Sequence, residues 1–156
     1  MHYDVVIIGA GPVGIFAAFQ AGLLGMKVCV VDALDGIGGQ CISLYPEKPI
    51  YDIPGHSKIT GAQLISELIL QASRFSPHYI MGQTVISLEK RQDEIFELKT
   101  SKGNGVSCKA VMIASGAGAF GPNRPPLAGI DHYEGSSVFY HVQKRQDFAG
   151  KTILIA

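Results

Sequence analysis

The sequence predicts an α/β fold: a Rossmann-like central parallel sheet with a small antiparallel β-meander. Three observations predict it. Val5-Val6-Ile7-Ile8 is followed by Gly9-x-Gly11-x-x-Gly14, a helical stretch and a second apolar run ending in Asp32, which together read as one βαβ unit. From Thr84 to Lys109 the pattern changes to short alternating runs, separated by charged or glycine-containing turns such as Lys102-Gly103-Asn104-Gly105. Ala110 to Ala114 then reads as a strand buried in the parallel sheet.

Each part of the first unit has a physical role. Gly9 permits the tight turn out of the strand, and Gly11 has no side chain to hold the backbone away from a pyrophosphate. Gly14 lets the helix pack closely on the sheet. The helix N-terminus offers free amide groups and about half a positive charge to phosphates. Asp32, eighteen residues beyond Gly14, is placed to accept hydrogen bonds from a ribose hydroxyl pair. A carboxylate there repels a 2′-phosphate, which disfavours NADP in this site and leaves FAD and NAD chemically open.

Gly36 to Gly55 reads as a long irregular stretch with a second glycine pair, Gly38-Gly39, and a loop of this length usually serves a site. It favours the larger of the two ligands. A helix follows, with Thr60 and Gln63 spaced as a capping box. Leu64, Ile65, Leu68, Ile69 and Ala72 form its core-facing stripe. Beyond the meander, Gly116 to Gly129 is rich in proline and glycine, as in a linker or surface loop. Thr152 to Ala156 reads as the first strand of another α/β unit.

Composition narrows the function classes. The 156 residues suit one domain, and 47% hydrophobic against 17% charged residues can bury a core. Thirteen basic and thirteen acidic residues cancel, so nothing draws the chain generally to nucleic acid or to acidic membranes. Cys29, Cys41 and Cys108 have no CxxC spacing, which suggests neither a disulfide framework nor a zinc site. The N-terminus lacks a basic segment, and no apolar run approaches the roughly 20 residues of a membrane span, so the expected location is cytoplasmic.

Several motifs together carry a resemblance. Gly9-Ala10-Gly11-Pro12-Val13-Gly14, Gly38-Gly39-Gln40-Cys41, Leu44-Tyr45-Pro46-Glu47-Lys48, Tyr51-Asp52-Ile53-Pro54-Gly55 and Gly118-Ala119-Phe120-Gly121-Pro122 resemble the ferredoxin–NADP reductases of the thioredoxin-reductase-like type. The resemblance covers essentially all of the chain. It implies an FAD-binding domain over residues 1–146 and, over 147–156, the first strand of an NADPH-binding domain whose own site lies outside these residues. It further implies a homodimeric flavoprotein of roughly twice this length that passes electrons between NADPH and ferredoxin or flavodoxin.

By that resemblance Asp32 holds the adenosine ribose, Gln40 and Tyr45 line the flavin, Val85 flanks the adenine and Phe120 packs by the cofactor. Pro12 and Gly39 join the glycine loops, and Asp52 lies in a flavin-facing segment. No general acid or base and no metal ligand is nominated, because the five histidines are scattered without a paired acid. In glutathione-reductase-like relatives a cysteine pair five positions apart follows the double glycine. Here Cys41 occupies the first position and Pro46 the second, so no redox disulfide forms there. Lys48, Lys90-Arg91 and Lys144-Arg145 are candidate docking charges for an acidic ferredoxin. The alternatives are a non-catalytic, truncated nucleotide-binding module, a fragment of a thioredoxin-reductase-type disulfide reductase, and a small NAD-dependent oxidoreductase. The last lacks a Ser-Tyr-Lys or His-acid grouping.

Overall fold

The computed structural model describes residues 1–118, 121, 124–140, 142 and 144–155. Strand β1 (His2–Ile8) leads through the first glycine loop into helix α1 (Pro12–Leu23), and β2 (Val28–Val31) follows. β-Branched residues dominate β1 and β2, which pair in parallel from Val5 opposite Val28 to Ile8 opposite Val31. Pro12 starts α1 in the first turn, where a missing N–H breaks no helical bond. Gly25, at φ +71°, closes the helix by donating to the Gly22 carbonyl.

Helix α2 (Gln40–Ser43) and strand β3 (Pro49–Ile50) lie inside the stretch expected to be irregular. β3 pairs antiparallel with β4 (Ile59–Thr60), which feeds helix α3 (Gly61–Ser73). The α3 capping box forms as the spacing requires: Thr60 Oγ1 accepts from the Gln63 amide, and Gln63 Oε1 accepts from the Thr60 amide. Leu64, Ile65 and Ala72 are buried, with Leu68 and Ile69 packed beside them against Ile15 of α1. Fully burying an Ile or Leu side chain stabilises by about 1.5–3 kcal/mol, so this stripe holds α3 on α1.

The remaining strands are β5 (His78–Ile80), β6 (Val85–Lys90), β7 (Phe96–Thr100) and β8 (Gly105–Ile113). They complete a six-stranded sheet in the order β5-β2-β1-β8-β7-β6. β5, β2, β1 and β8 run parallel, and β8, β7 and β6 form the antiparallel meander. One apolar cluster joins Val6, Cys29 and Val31 to Leu98, Val106 and Cys108; a second places Ile7, Val28 and Val30 under Ala10 and Ala18.

Three features differ from the sequence reading. The runs 106–109 and 110–113 belong to one strand, β8, which loses one neighbour partway along. It pairs with β1 over Ser107–Ile113 and with β7 only over Gly105–Cys108. Beyond Cys108 the meander no longer flanks it, so Met112 (43% exposed) and Ile113 (69%) are not buried. β5 carried too short a run to be read from pattern, yet it forms the sheet edge beside β2. The strand read at 152–156 is also not formed in its described part: residues 151–155 have no secondary structure and are exposed.

Candidate functional site

The carboxyl ends of β1, β2 and β8 meet at one end of the sheet, where a parallel α/β fold places its ligand crevice. A cleft of about 440 Å³ opens there. Of the residues singled out from sequence, Gly9, Gly11, Pro12, Asp32, Gly39, Gln40, Tyr45 and Val85 all line it. Chain segments far apart in sequence are thus brought together around one space.

The glycines of the first loop differ in what they face. Gly9 has φ +112°, and a Cβ there would drive into the carbonyl of Ala114, just past the end of β8. A Cβ on Gly14 would collide with the Gly9 carbonyl, so this residue is packing and does not line the cleft. At Gly11 a Cβ would meet no protein atom within 4 Å. It would point into open space. On the side where the two loops meet, Gly39, at φ +54°, would bring a Cβ to 3.1 Å from Gly11 Cα, and Gly38 donates its amide to the Ala10 carbonyl at 2.9 Å. The two glycine loops therefore approach backbone to backbone. Gly11 is the N-cap of α1 and supplies no side-chain acceptor, so the leading amides of α1 after Pro12 are left for an anion.

Asp32 is held from both sides. Its Oδ2 accepts from the Ala10 amide at 2.6 Å and its Oδ1 from the Leu34 amide at 2.8 Å. These bonds orient the carboxylate at the rim of the glycine loop, and each oxygen keeps a lone pair for a further donor. Tyr45 is half-buried, with Lys48 Nζ 5.6 Å from its ring centroid. Burial raises the Tyr45 hydroxyl above the usual phenol pKa, with the neighbouring Cys41 thiol adding to the effect. The hydroxyl is therefore a neutral donor across the physiological range. Cys41 itself packs with Ile15, Ile65 and Ala72, and all three cysteines are buried and free.

A second, broader and mainly apolar groove of about 1910 Å³ runs between α1, α3 and the segment 48–54. Although larger, it lacks the glycine loops and Asp32, which line only the smaller cleft. Asp52 lies in this groove and not in the cleft. Pro12, Val13, Cys41 and Tyr45 border both concavities, which therefore lie side by side. Phe120 falls outside the described residues. Sequence reading missed Gln83, Thr84, Ser115 and Gly116 as cleft residues. A usable signal existed for Ser115 and Gly116, since residues just past the end of a parallel strand converge on the crevice. Gln83 and Thr84 follow the unrecognised β5 and carried none. Among the described residues no helix is long and apolar enough to cross a membrane.

Comparison with known proteins agrees with this geometry. The chain is 60% identical over 153 residues to a ferredoxin–NADP reductase of Rickettsia rickettsii, covering 98% of this chain and 45% of that protein. It is 56% identical over 154 residues to that of Anaplasma phagocytophilum, covering 99% and 45%. The chain thus spans about half the length of the curated relatives it matches. Among solved structures it resembles the thioredoxin reductase of Streptococcus pyogenes, with a TM-score of 0.65 and 25% identity over 85% of this chain and 40% of that one. The pyridine nucleotide-disulphide oxidoreductase family matches residues 3–152, nearly the whole sequence. The chain belongs to the pyridine nucleotide-disulphide oxidoreductase family.

Proposed function

We infer that the cleft holds FAD and that the chain is the flavin-holding part of an oxidoreductase passing electrons between NADPH and ferredoxin or flavodoxin. One observation carries the choice of ligand: the backbone-lined cleft adjoins a broad apolar groove, with Pro12, Val13, Cys41 and Tyr45 in the walls of both. An ADP half fits the cleft, and a flat apolar ring system suits the groove beside it. The fit rests on the uncapped N-terminus of α1, the open space at Gly11 and the oriented Asp32 carboxylate.

When bound, the flavin ring supplies the redox chemistry, taking a hydride and releasing single electrons. The protein's residues bind and orient it. Gly9, Gly11 and Gly39 shape the backbone around the pyrophosphate, and Asp32 takes the ribose hydroxyls. Gln40 and Tyr45 stand in the cleft wall, Tyr45 bordering the groove as well, and Val85 gives an apolar contact at the nucleoside end. Phe120 is assigned a contact by resemblance alone, and Asp52 a place along the groove. A dithiol relay is not part of this reading: Cys41 sits in a different core cluster from Cys29 and Cys108, and Pro46 stands where a partner thiol would be needed.

NADP and ferredoxin follow the printed names of the relatives, whose length this chain half covers, and flavodoxin follows the family resemblance alone. The same reading gives residues 1–146 to the FAD domain and 147–156 to the start of an NADPH domain, in a cytoplasmic protein that is homodimeric at full length. The test is direct. Purified protein should carry FAD or take it up, as read by absorbance and by mass after denaturation. A preparation that stays colourless under saturating FAD while titrating with NAD would overturn the assignment. A polypeptide of these 156 residues should show no steady NADPH-dependent diaphorase turnover, because its single glycine fingerprint ends in an acid that repels a 2′-phosphate.

A further inference from the structure

At the nucleoside end of the cleft the loop between β5 and β6 is tied down on two sides. Toward β2, the Gly82 amide donates to the Leu34 carbonyl and the Gln83 amide to the Asp32 carbonyl, both at 2.9 Å. Toward the meander turn, the Ser101 amide donates to the Thr84 carbonyl at 2.8 Å and Ser101 Oγ accepts from the Thr84 amide at 3.1 Å. The Gln83 side chain joins this network in one orientation. Its Oε1 accepts from Thr100 Oγ1 at 2.5 Å and from Asn104 Nδ2 at 2.9 Å.

Both partners present a donor to that oxygen. Thr100 is 1% exposed, and its hydroxyl accepts the Asn104 amide at 3.2 Å, which frees its own proton for Gln83 Oε1. Two donors therefore converge on the carboxamide oxygen. The amide nitrogen, a pure donor, has no hydrogen-bond partner among the described residues, and Gln83 lines the cleft. Its position relative to Asp32 fixes what lies beside it. Asp32 is the acid that takes ribose hydroxyls, and the Gln83 main chain is bonded directly to it. The base attached to that ribose must lie along residues 83–85, with Val85 as the apolar contact.

We propose that Gln83 is a specificity-determining residue of the nucleoside subsite, donating a hydrogen bond from Nε2 to a ring nitrogen of a purine. The assignment rests on the nucleotide reading of the cleft and deepens it. Thr100 and Asn104 are its positioning residues: they hold the carboxamide so that the donor end faces the base. Nothing in the sequence pattern marks the residue, because its role depends on a turn twenty residues further along.

The test is a mutant–analogue cycle on the full chain, with ADP and its 1-, 3- and 7-deaza forms as probes and binding read calorimetrically. Wild type should bind one deaza analogue about tenfold more weakly than ADP, since that analogue lacks the acceptor. Gln83→Glu keeps the oxygen that Thr100 and Asn104 address but removes the donor. It should weaken ADP by about tenfold or more and show no further loss on that analogue. If Gln83→Glu does not fold, Gln83→Met is read in the same cycle. Wild type binding all three analogues as well as ADP overturns the proposal, and so does a variant that retains ADP affinity within about twofold, the threshold being set by ordinary additivity errors. A wild-type chain that binds neither ADP nor FAD overturns the nucleotide reading itself, which separates the two failures.

Discussion

The two concavities of this molecule are built from different material. The cleft is a backbone structure, in which Gly9, Gly14 and Gly39 bring main-chain atoms to distances that a Cβ would obstruct. The groove between α1 and α3 is a side-chain structure, bordered by exposed apolar residues such as Val13, Phe16 and Leu70. Backbone positions are held by secondary structure on every side and cannot shift to absorb an added atom. Exposed side chains can rotate away. The cleft should therefore be brittle toward the smallest substitutions, and the groove tolerant of much larger ones.

The sharpest way to break this comparison is to add one methyl group at neighbouring glycines. Gly14→Ala pushes a Cβ into the Gly9 carbonyl and should cost roughly 3 kcal/mol or more, read by chemical denaturation. Gly11→Ala meets no protein atom and has an ordinary φ of −74°. It should leave stability within about 1 kcal/mol while reducing FAD affinity by about a hundredfold, from loss of phosphate contact. If both variants unfold, the distinction between the two glycines is wrong.

Asp32→Asn is the next step down. The amide can accept from Ala10 or from Leu34 but must turn its own N–H₂ toward the other donor. A loss of about 1–2 kcal/mol in unfolding free energy is expected, with at least about tenfold weaker FAD and ADP binding. Unchanged ADP affinity would remove the ribose role from Asp32.

A smaller effect tests the core behind the cleft. Burial, with the nearby Cys108 adding to it, pushes the Cys29 thiol up to about 12. The folded-state value is raised, so the stabilising contribution is complete below the unfolded thiol value of about 8.5–9 and is lost as pH rises toward 12. Unfolding free energy should fall above about pH 9, by up to about 1.4 kcal/mol per pH unit from this group. Cys29→Ala should flatten that slope, and an unchanged slope would assign it elsewhere. Smallest of all, Leu70→Ser in the groove wall should change stability by less than about 0.5 kcal/mol, because Leu70 is 73% exposed. A loss comparable to that of Gly14→Ala would erase the contrast between the two regions.

Much of the cleft was legible because its signals are local. A strand, three spaced glycines, a helix and an acid lie within Asp4 to Asp32, and each constrains backbone geometry a few residues away. The α3 capping box was legible for the same reason. The second glycine pair marked the opposing loop, because positive φ at Gly38 and Gly39 demands glycine there. Pattern failed where the cause is a distant neighbour. β8 read as two strands because its partner on one edge ends partway along, and β5 was invisible because three residues carry too little periodicity. Pattern alone also did not show that Asp52 would lie along the groove while most of the other singled-out residues line the cleft.

The sequence by itself determined the nucleotide-binding unit, the parallel sheet with its meander and the absence of a dithiol at Cys41, since all depend on residue type at short spacing. Only the tertiary structure decided which glycine faces open space and which faces protein. It alone set the cleft beside an apolar groove, and it alone tied Gln83 to Thr100 and Asn104 at the cleft wall. The reason is physical. A glycine's allowed angles follow from its own atoms, whereas what lies across from it depends on strands that meet only after the chain has folded.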